Sequence, residues 1–296
     1  MKHIYVSPHA DDVALSCGGQ ILMNPDRRSD TLVLTAFTSD DASPAAATIK
    51  RSNFVDAIHA QRDTEDEAAW NSVGVPWRAL GLPEALLRHT FPFAIFGSGS
   101  DPEIKGQLRD IIASYMQTYP DAKFYFPAGI GRHVDHLLCR DVAFDLLRTH
   151  AQARIALYED TPYWWLRFLK KAHYREFGLS SSSAHPIHSG VCGIGLRHYL
   201  LRNDVPFPRG RKLFVAVLLG LLARAARGAG ADLRMFNPTI TTITVDHEVL
   251  SRKRELIYQY GSQLPMLFGP SVDDLLSTYA KCFATETTIE FSSESA

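Results

Sequence analysis

Two short runs of this chain gather residue types that hold metal ions and move protons. One is Pro8-His9-Ala10-Asp11-Asp12; the other is Gly131-Arg132-His133-Val134-Asp135-His136. His9 and Asp12 stand three apart, so at a turn an imidazole and a carboxylate can converge on one point. Asp11, between them, points differently and is placed to act on whatever that point holds. His133 and His136 repeat the spacing. Together the runs offer donors of His, Asp and His type, a set that leaves a fourth position for water, as a catalytic zinc site requires. Either run alone is ordinary: His-x-x-Asp arises by chance, and an Asp-Asp pair is commonly a solvated turn or helix cap. Their weight comes from where both fall in the chain.

Each run follows a strand and leads into a helix. His3–Ser7 reads as a short strand and Val13–Met23 as a helix. Thr31–Thr38 is an apolar, β-branched run suited to a buried parallel strand. Arg51–Val73 and Pro102–Tyr119 read as helices, Lys123–Pro127 as a strand, His136–His150 as a helix and Ala153–Glu159 as a strand. This alternation predicts an α/β, Rossmann-like, mostly parallel sheet with helices on both faces. In such sheets ligands bind at the carboxyl ends of strands, where both runs lie. Thr239–Val245 and His247–Tyr260 add a later strand and helix. The expected organisation is one domain over residues 1–296, with a less regular insertion or lid around 165–238 that includes the serine run Ser180–Ser183 and a break at Pro206–Arg211.

Composition narrows the classes. The 296 residues are 46% hydrophobic and 21% charged with net charge -1. That is ordinary for a soluble globular protein and supplies no field that would favour nucleic acid. Cys17, Cys139, Cys192 and Cys282 are widely spaced with no CxxC pair, so a zinc knot or a dense disulfide framework is not expected; reduced thiols in a cytoplasm are. No long apolar leader precedes Pro8. Leu213–Ala226 falls short of the roughly 20 residues that span a bilayer and contains Arg224, so it reads as a buried helix. The flanking Arg209, Arg211, Lys212 and Arg227 leave an interfacial helix, and a membrane-surface role, as the less favoured alternative. A nucleotide- or sugar-binding Rossmann-like module is a further alternative. Against it, no Gly-x-Gly-x-x-Gly follows the first strand, and Gly18-Gly19 lies inside a predicted helix.

These motifs resemble the PIG-L/LmbE family of zinc-dependent de-N-acetylases, whose first signature is Pro-His-x-Asp-Asp followed by Gly-Gly and whose second is His-x-Asp-His. Weaker matches are Arg62, Glu65 and Gly74, and near the C-terminus Asp246, Lys253 and Ser262-Gln263. The resemblance covers about residues 3–160 and 240–263. It implies one Zn2+ per chain held by His9, Asp12 and His136, with Asp11 as general base. It implies that His133, held by Asp135, stabilises the oxyanion or protonates the leaving amine; Asp135 could instead cap the following helix. Arg62 and Tyr163 are the implied substrate contacts, although Arg62 could merely pair with Glu65 along its helix. The implied substrate is a small N-acylated sugar or glycoconjugate. A different amide, in a thiol conjugate or with a longer acyl chain, is the alternative. Some members carry an aromatic residue where this chain has Gly131, so any catalytic tyrosine must come from elsewhere: Tyr158, Tyr163 or Tyr260. The oligomeric state stays open.

Overall fold

The computed structural model describes residues 1–39, 53–88, 101–165, 167–177, 179, 237–264, 273, 276–277 and 280–291. Among the described residues seven strands form one sheet: β1 (His3–Ser7), β2 (Thr31–Thr35), β3 (Trp77–Ala79), β4 (Lys123–Pro127), β5 (Arg154–Tyr158), β6 (Thr239–Thr244) and β7 (Thr285–Glu290). Their order is β3-β2-β1-β4-β5-β7-β6. The first five run parallel, and β7 is antiparallel to both β5 and β6. β2 is buried at every position, as its continuous apolar and β-branched sequence requires.

The helices are α1 (Asp12–Leu22), α2 (Pro25–Ser29), α3 (Asn53–Ser72), α4 (Ala85–Arg88), α5 (Pro102–Thr118), α6 (Val134–Thr149), α7 (Arg167–Glu176), α8 (His247–Tyr258) and α9 (Ala280–Phe283). From β1 the chain crosses to β2 on one side, and from β4 it crosses to β5 on the other. Right-handed crossovers therefore put α1 and α6 on opposite faces of the sheet. The packing agrees: α1 and α3 lie against α8, and α5 lies against α6. This is the expected Rossmann-like class, with an antiparallel edge at β7 and β6. The strand order reverses at β1 and β4, so their carboxyl ends flank the crevice in which such sheets bind ligands.

One buried ion pair ties the antiparallel edge to the helix that starts the site. Glu286 on β7 accepts the backbone N–H groups of Gly19 (2.6 Å) and Gln20 (2.7 Å) in α1. Lys253 on α8 donates to the same carboxylate at 2.7 Å and to the Phe283 carbonyl at 3.1 Å. Both side chains are 1% exposed. The approach demands glycine, because a Cβ at Gly19 would lie 2.7 Å from Glu286 Oε1 and 2.7 Å from a Val245 methyl. Glu286→Ala leaves the Lys253 ammonium buried without its counter-charge. The expected loss is about 3–5 kcal/mol, read as a lower denaturant midpoint; an unchanged midpoint would contradict the role.

Cys17 and Cys139 are free and buried, whereas Cys282 is disulfide-bonded. That corrects the all-thiol expectation on which a cytoplasmic location rested. Among the described residues no helix is long and apolar enough to cross a membrane. The proposed lid around 165–238 is described only through α7 and its two ends. Ser180–Ser183, Pro206–Arg211 and Leu213–Ala226 lie outside the described residues.

Candidate active site

Three neighbouring strands deliver the site from their carboxyl ends: β1 leads to His9, Asp11 and Asp12, β4 to His133, Asp135 and His136, and β5 to Asp160 and Tyr163. The first turn is tied locally. Ser7 Oγ donates to the His9 carbonyl at 2.5 Å and accepts from Val13 N, while Asp12 Oδ2 accepts from His9 N at 2.9 Å. Asp11 sits at the N-cap of α1, yet its side chain makes no capping bond. The carboxyl is thus not consumed by the helix end.

Asp12 Oδ2 stands between two imidazoles, 3.3 Å from His9 Nδ1 and 3.2 Å from His136 Nε2. The other nitrogen of each ring meets a buried carboxylate: His9 Nε2 lies 3.0 Å from Asp135 Oδ2, and His136 Nδ1 lies 2.6 Å from Asp160 Oδ1. A carboxylate on the far nitrogen fixes the tautomer and aims the near lone pair, the usual arrangement around metal-ligating histidines. His133 differs. Its Nδ1 accepts the Asp135 backbone N–H at 3.3 Å, so the neutral ring carries its proton on Nε2. Donor atoms of His9, His133 and His136 all fall within 4.8 Å of one another, giving a second, all-imidazole way to group metal donors.

The charges follow from burial and neighbours. Burial pushes the Asp11 carboxyl up and the adjacent Asp12 pushes it further, to about 7, against the pull of His9 and Arg62. For Asp12 the upward push of burial is outweighed by His136 and His9, and its carboxyl lies well below the usual range. His136 is held up to about 9: burial opposes its charge, but Asp12 and Asp160 favour it. His133 is driven down to about 3 by burial and then by His9, so it is neutral.

The Asp135 carboxylate bonds His9 rather than His133, whose Nδ1 lies 4.0 Å from Oδ2. Nor does it cap α6, since His133 holds that place. The cap reading of Asp135 is corrected by this geometry, and its hold on His133 runs through its backbone N–H, because its oxygens are taken by His9, Ala85 N and Arg88. Arg62 pairs with Glu84 at 2.7 Å, not with Glu65. Glu65 instead accepts from the backbone and hydroxyl of Ser262, so two of the weaker sequence matches meet as a latch between α3 and the end of α8. Asp246 caps α8.

The tyrosines separate clearly. Tyr158 donates to the Val6 carbonyl and Tyr260 to Asp66, so both hydroxyls are committed to structural acceptors. Tyr163 stands edge-on to His136 at 6.1 Å between ring centroids. Burial raises its hydroxyl, with further contributions from Asp12, Asp11 and Asp160. It also explains Gly131: the backbone there has φ +90, and a Cβ would come within 2.5 Å of Tyr163 Cγ. The ring thus occupies the space a side chain at 131 would need. Gly131→Ala is expected to destabilise by about 1–3 kcal/mol through overpacking and to lower turnover by displacing Tyr163. A melting temperature and kcat equal to those of wild type would contradict this.

Asp160, Arg88 and Glu84 were not singled out from sequence. Asp160 had a usable signal, because it follows β5 as His9 follows β1. Arg88 had none, lying in a four-residue helix without periodicity.

A family model described as PIG-L, GlcNAc-PI de-N-acetylase, matches residues 4–147. The 2'-N-acetylparomamine deacetylase of Streptomyces fradiae is 29% identical, the match covering 55% of this chain and 57% of that protein. The enzyme of the same name from Niallia circulans is 28% identical, covering 54% of this chain and 67% of that protein. The chain thus spans little more than half the length of the first of these relatives. Among solved structures, the deacetylase–bog complex of teicoplanin biosynthesis aligns with TM-score 0.61 at 20% identity, covering 100% of both chains. The A40926 pseudoaglycone deacetylase Dbv21 aligns with TM-score 0.58 at 20% identity, covering 100% of this chain and 98% of that one. At that identity the likeness is one of fold. Residues 4–147, which hold both motif clusters and Arg62, are therefore the part of the chain that resembles the PIG-L de-N-acetylase family.

Proposed function

We propose that this chain is a metal-dependent amide hydrolase that removes an N-acetyl group from an amino-sugar-containing substrate. One observation carries the chemistry: the near nitrogens of His9 and His136 converge on Asp12 Oδ2 while a buried carboxylate fixes each ring from behind. On this reading His9 Nδ1, Asp12 and His136 Nε2 hold one zinc ion. His133 is excluded from the ligand set because its proton sits on Nε2. When bound, zinc supplies Lewis-acid polarisation of the acyl oxygen and acidification of water. Asp11, uncommitted to the helix cap, accepts the proton of the attacking water. The Nε2–H of His133 donates to the oxygen on which negative charge develops. The C–N bond breaks, the proton passes to the departing nitrogen, and the products are a carboxylic acid and a free amine.

Arg62 and Tyr163 border this centre and are read as substrate contacts, in keeping with the charge of Arg62 acting on Asp11. The amino-sugar part is supported by the family match and by the two acetylparomamine deacetylases. The stretch 165–238 would then adjust which sugar or glycoconjugate is accepted, within a single catalytic domain. The test is to incubate the zinc-loaded protein with N-acetylated amino sugars, free and conjugated, and to follow amine release with mass spectrometry of the released acid. Acetate in step with free amine is the expected result. Release of a longer acid would move the reading to another amide, and no release from any of them would overturn it.

A further inference from the structure

A buried arginine outside the two motifs reaches the centre through one intermediate residue. Arg88 ends α4, and its side chain is 4% exposed. Nη2 donates to Asp135 Oδ1 at 2.6 Å. The other oxygen, Oδ2, takes the backbone N–H of Ala85 at 3.0 Å and meets His9 Nε2 at 3.0 Å. The Asp135 side chain is fully buried. One turn of α4 therefore grips this carboxylate from two sides and leaves the second lone pair of Oδ2 to His9. On its other flank Arg88 Nε lies 3.3 Å from Asp101 Oδ2, and its guanidinium carbon stands 5.2 Å over the Phe37 ring. Phe37 in turn packs 6.2 Å from the His9 ring.

We infer that Arg88 is a positioning residue for the metal centre: by fixing Asp135 it holds the His9 ring with Nε2–H outward and the Nδ1 lone pair aimed at Asp12 and His136. The inference rests on the metal-dependent reading above. A carboxylate held by a guanidinium and a backbone N–H has one orientation left, and the imidazole bonded to it has one tautomer. Without the guanidinium, Asp135 keeps only Ala85 N on its protein side, and the ring it orients gains freedom. Arg88 touches neither His9 nor Asp12, so its effect must pass through Asp135. Lysine preserves the charge but not the planar fork that meets Asp135 and Asp101 together.

The test measures zinc affinity by competition with a chromophoric chelator, alongside thermal melting and steady-state kinetics. Arg88→Gln is expected to weaken zinc binding roughly 10–100-fold, the range found when residues behind a metal ligand are removed. At saturating zinc its kcat should fall with KM little changed. Arg88→Lys is expected to lie between this variant and wild type. Asp101→Asn removes the second charged partner of Arg88 without touching Asp135, and is expected to bind zinc as wild type does. Wild-type affinity in Arg88→Gln overturns the inference, as does an equal loss in Asp101→Asn, which would make Arg88 an anchor for the chain around it. Should Arg88→Gln fail to fold, the comparison of Arg88→Lys with Asp101→Asn decides in the same way. A wild-type protein that binds no zinc would instead sink the metal-dependent reading itself.

Discussion

Asp11→Ala is expected to bind zinc and melt as the wild type does, yet to lose turnover by roughly a hundredfold to ten-thousandfold, the span assigned to a positioned general base. The reasons are local. Asp11 is 5% exposed and makes no capping bond, so its removal takes no hydrogen bond from α1. It also relieves rather than creates charge strain, because burial and the neighbouring Asp12 both oppose its ionisation. Stability and metal content should therefore be indifferent to the change while the proton acceptor is gone. The pH dependence gives a second check. A base works when deprotonated, so kcat/KM rises with pH through its titration. Asp11 lies at about 7 without metal, and a divalent cation beside it favours the carboxylate, so the acidic limb should inflect below 7 in the loaded enzyme. Asp11→Ala should lack that limb. Retention of most turnover in this variant would remove Asp11 from the base role.

How much of this was legible in the sequence depends on whether the signal was local. Strands β1, β2, β4, β5 and β6 carry apolar, aromatic or β-branched runs, and helices α1, α3, α5, α6 and α8 are long enough to impose a period. These elements read directly, to within a few residues at their ends. β7 did not: Thr285–Glu290 is polar by composition, and it becomes a strand because β5 and β6 pair with it on either side. The same limit governed the site. His9, Asp12, His133 and His136 announce themselves by type and spacing near strand ends. Asp160, which orients His136, is an acid of a kind found on any surface, and only the fold turns it inward; Asp135 is legible from its motif, but only the fold gives its carboxylate to His9. The Arg62–Glu65 spacing suggested a helical pair, yet each found a partner elsewhere, in Glu84 and Ser262. Gly131 could be read only as a departure. The approach of Tyr163 explains it, and that approach is a property of two loops brought together by β4 and β5.

His136→Ala is expected to lose its zinc, and how it does so separates the two ways of grouping the donors. The imidazole is 2% exposed and lies between Asp12 and Asp160. Its removal takes one ligand and also strands the buried Asp160 carboxylate, so a fall in stability of about 3–5 kcal/mol accompanies the loss. Metal content must therefore be measured beside a melting curve, and a gentler variant is needed. Asp12→Asn keeps volume but takes away the anionic donor that both rings face; it should lose zinc if the ligands are His9, Asp12 and His136. His133→Ala is the discriminating case. If the three imidazoles form the site, it too should lose the ion. If His133 is the Nε2–H donor that its contact with Asp135 N requires, the variant keeps one ion per chain on elemental analysis and loses kcat instead. Chelation should silence the wild type and zinc should restore it, whereas His136→Ala should stay silent at any zinc concentration that leaves it folded. A His136→Ala protein that stays folded and holds one ion per chain cannot be reconciled with either grouping, since both require that imidazole.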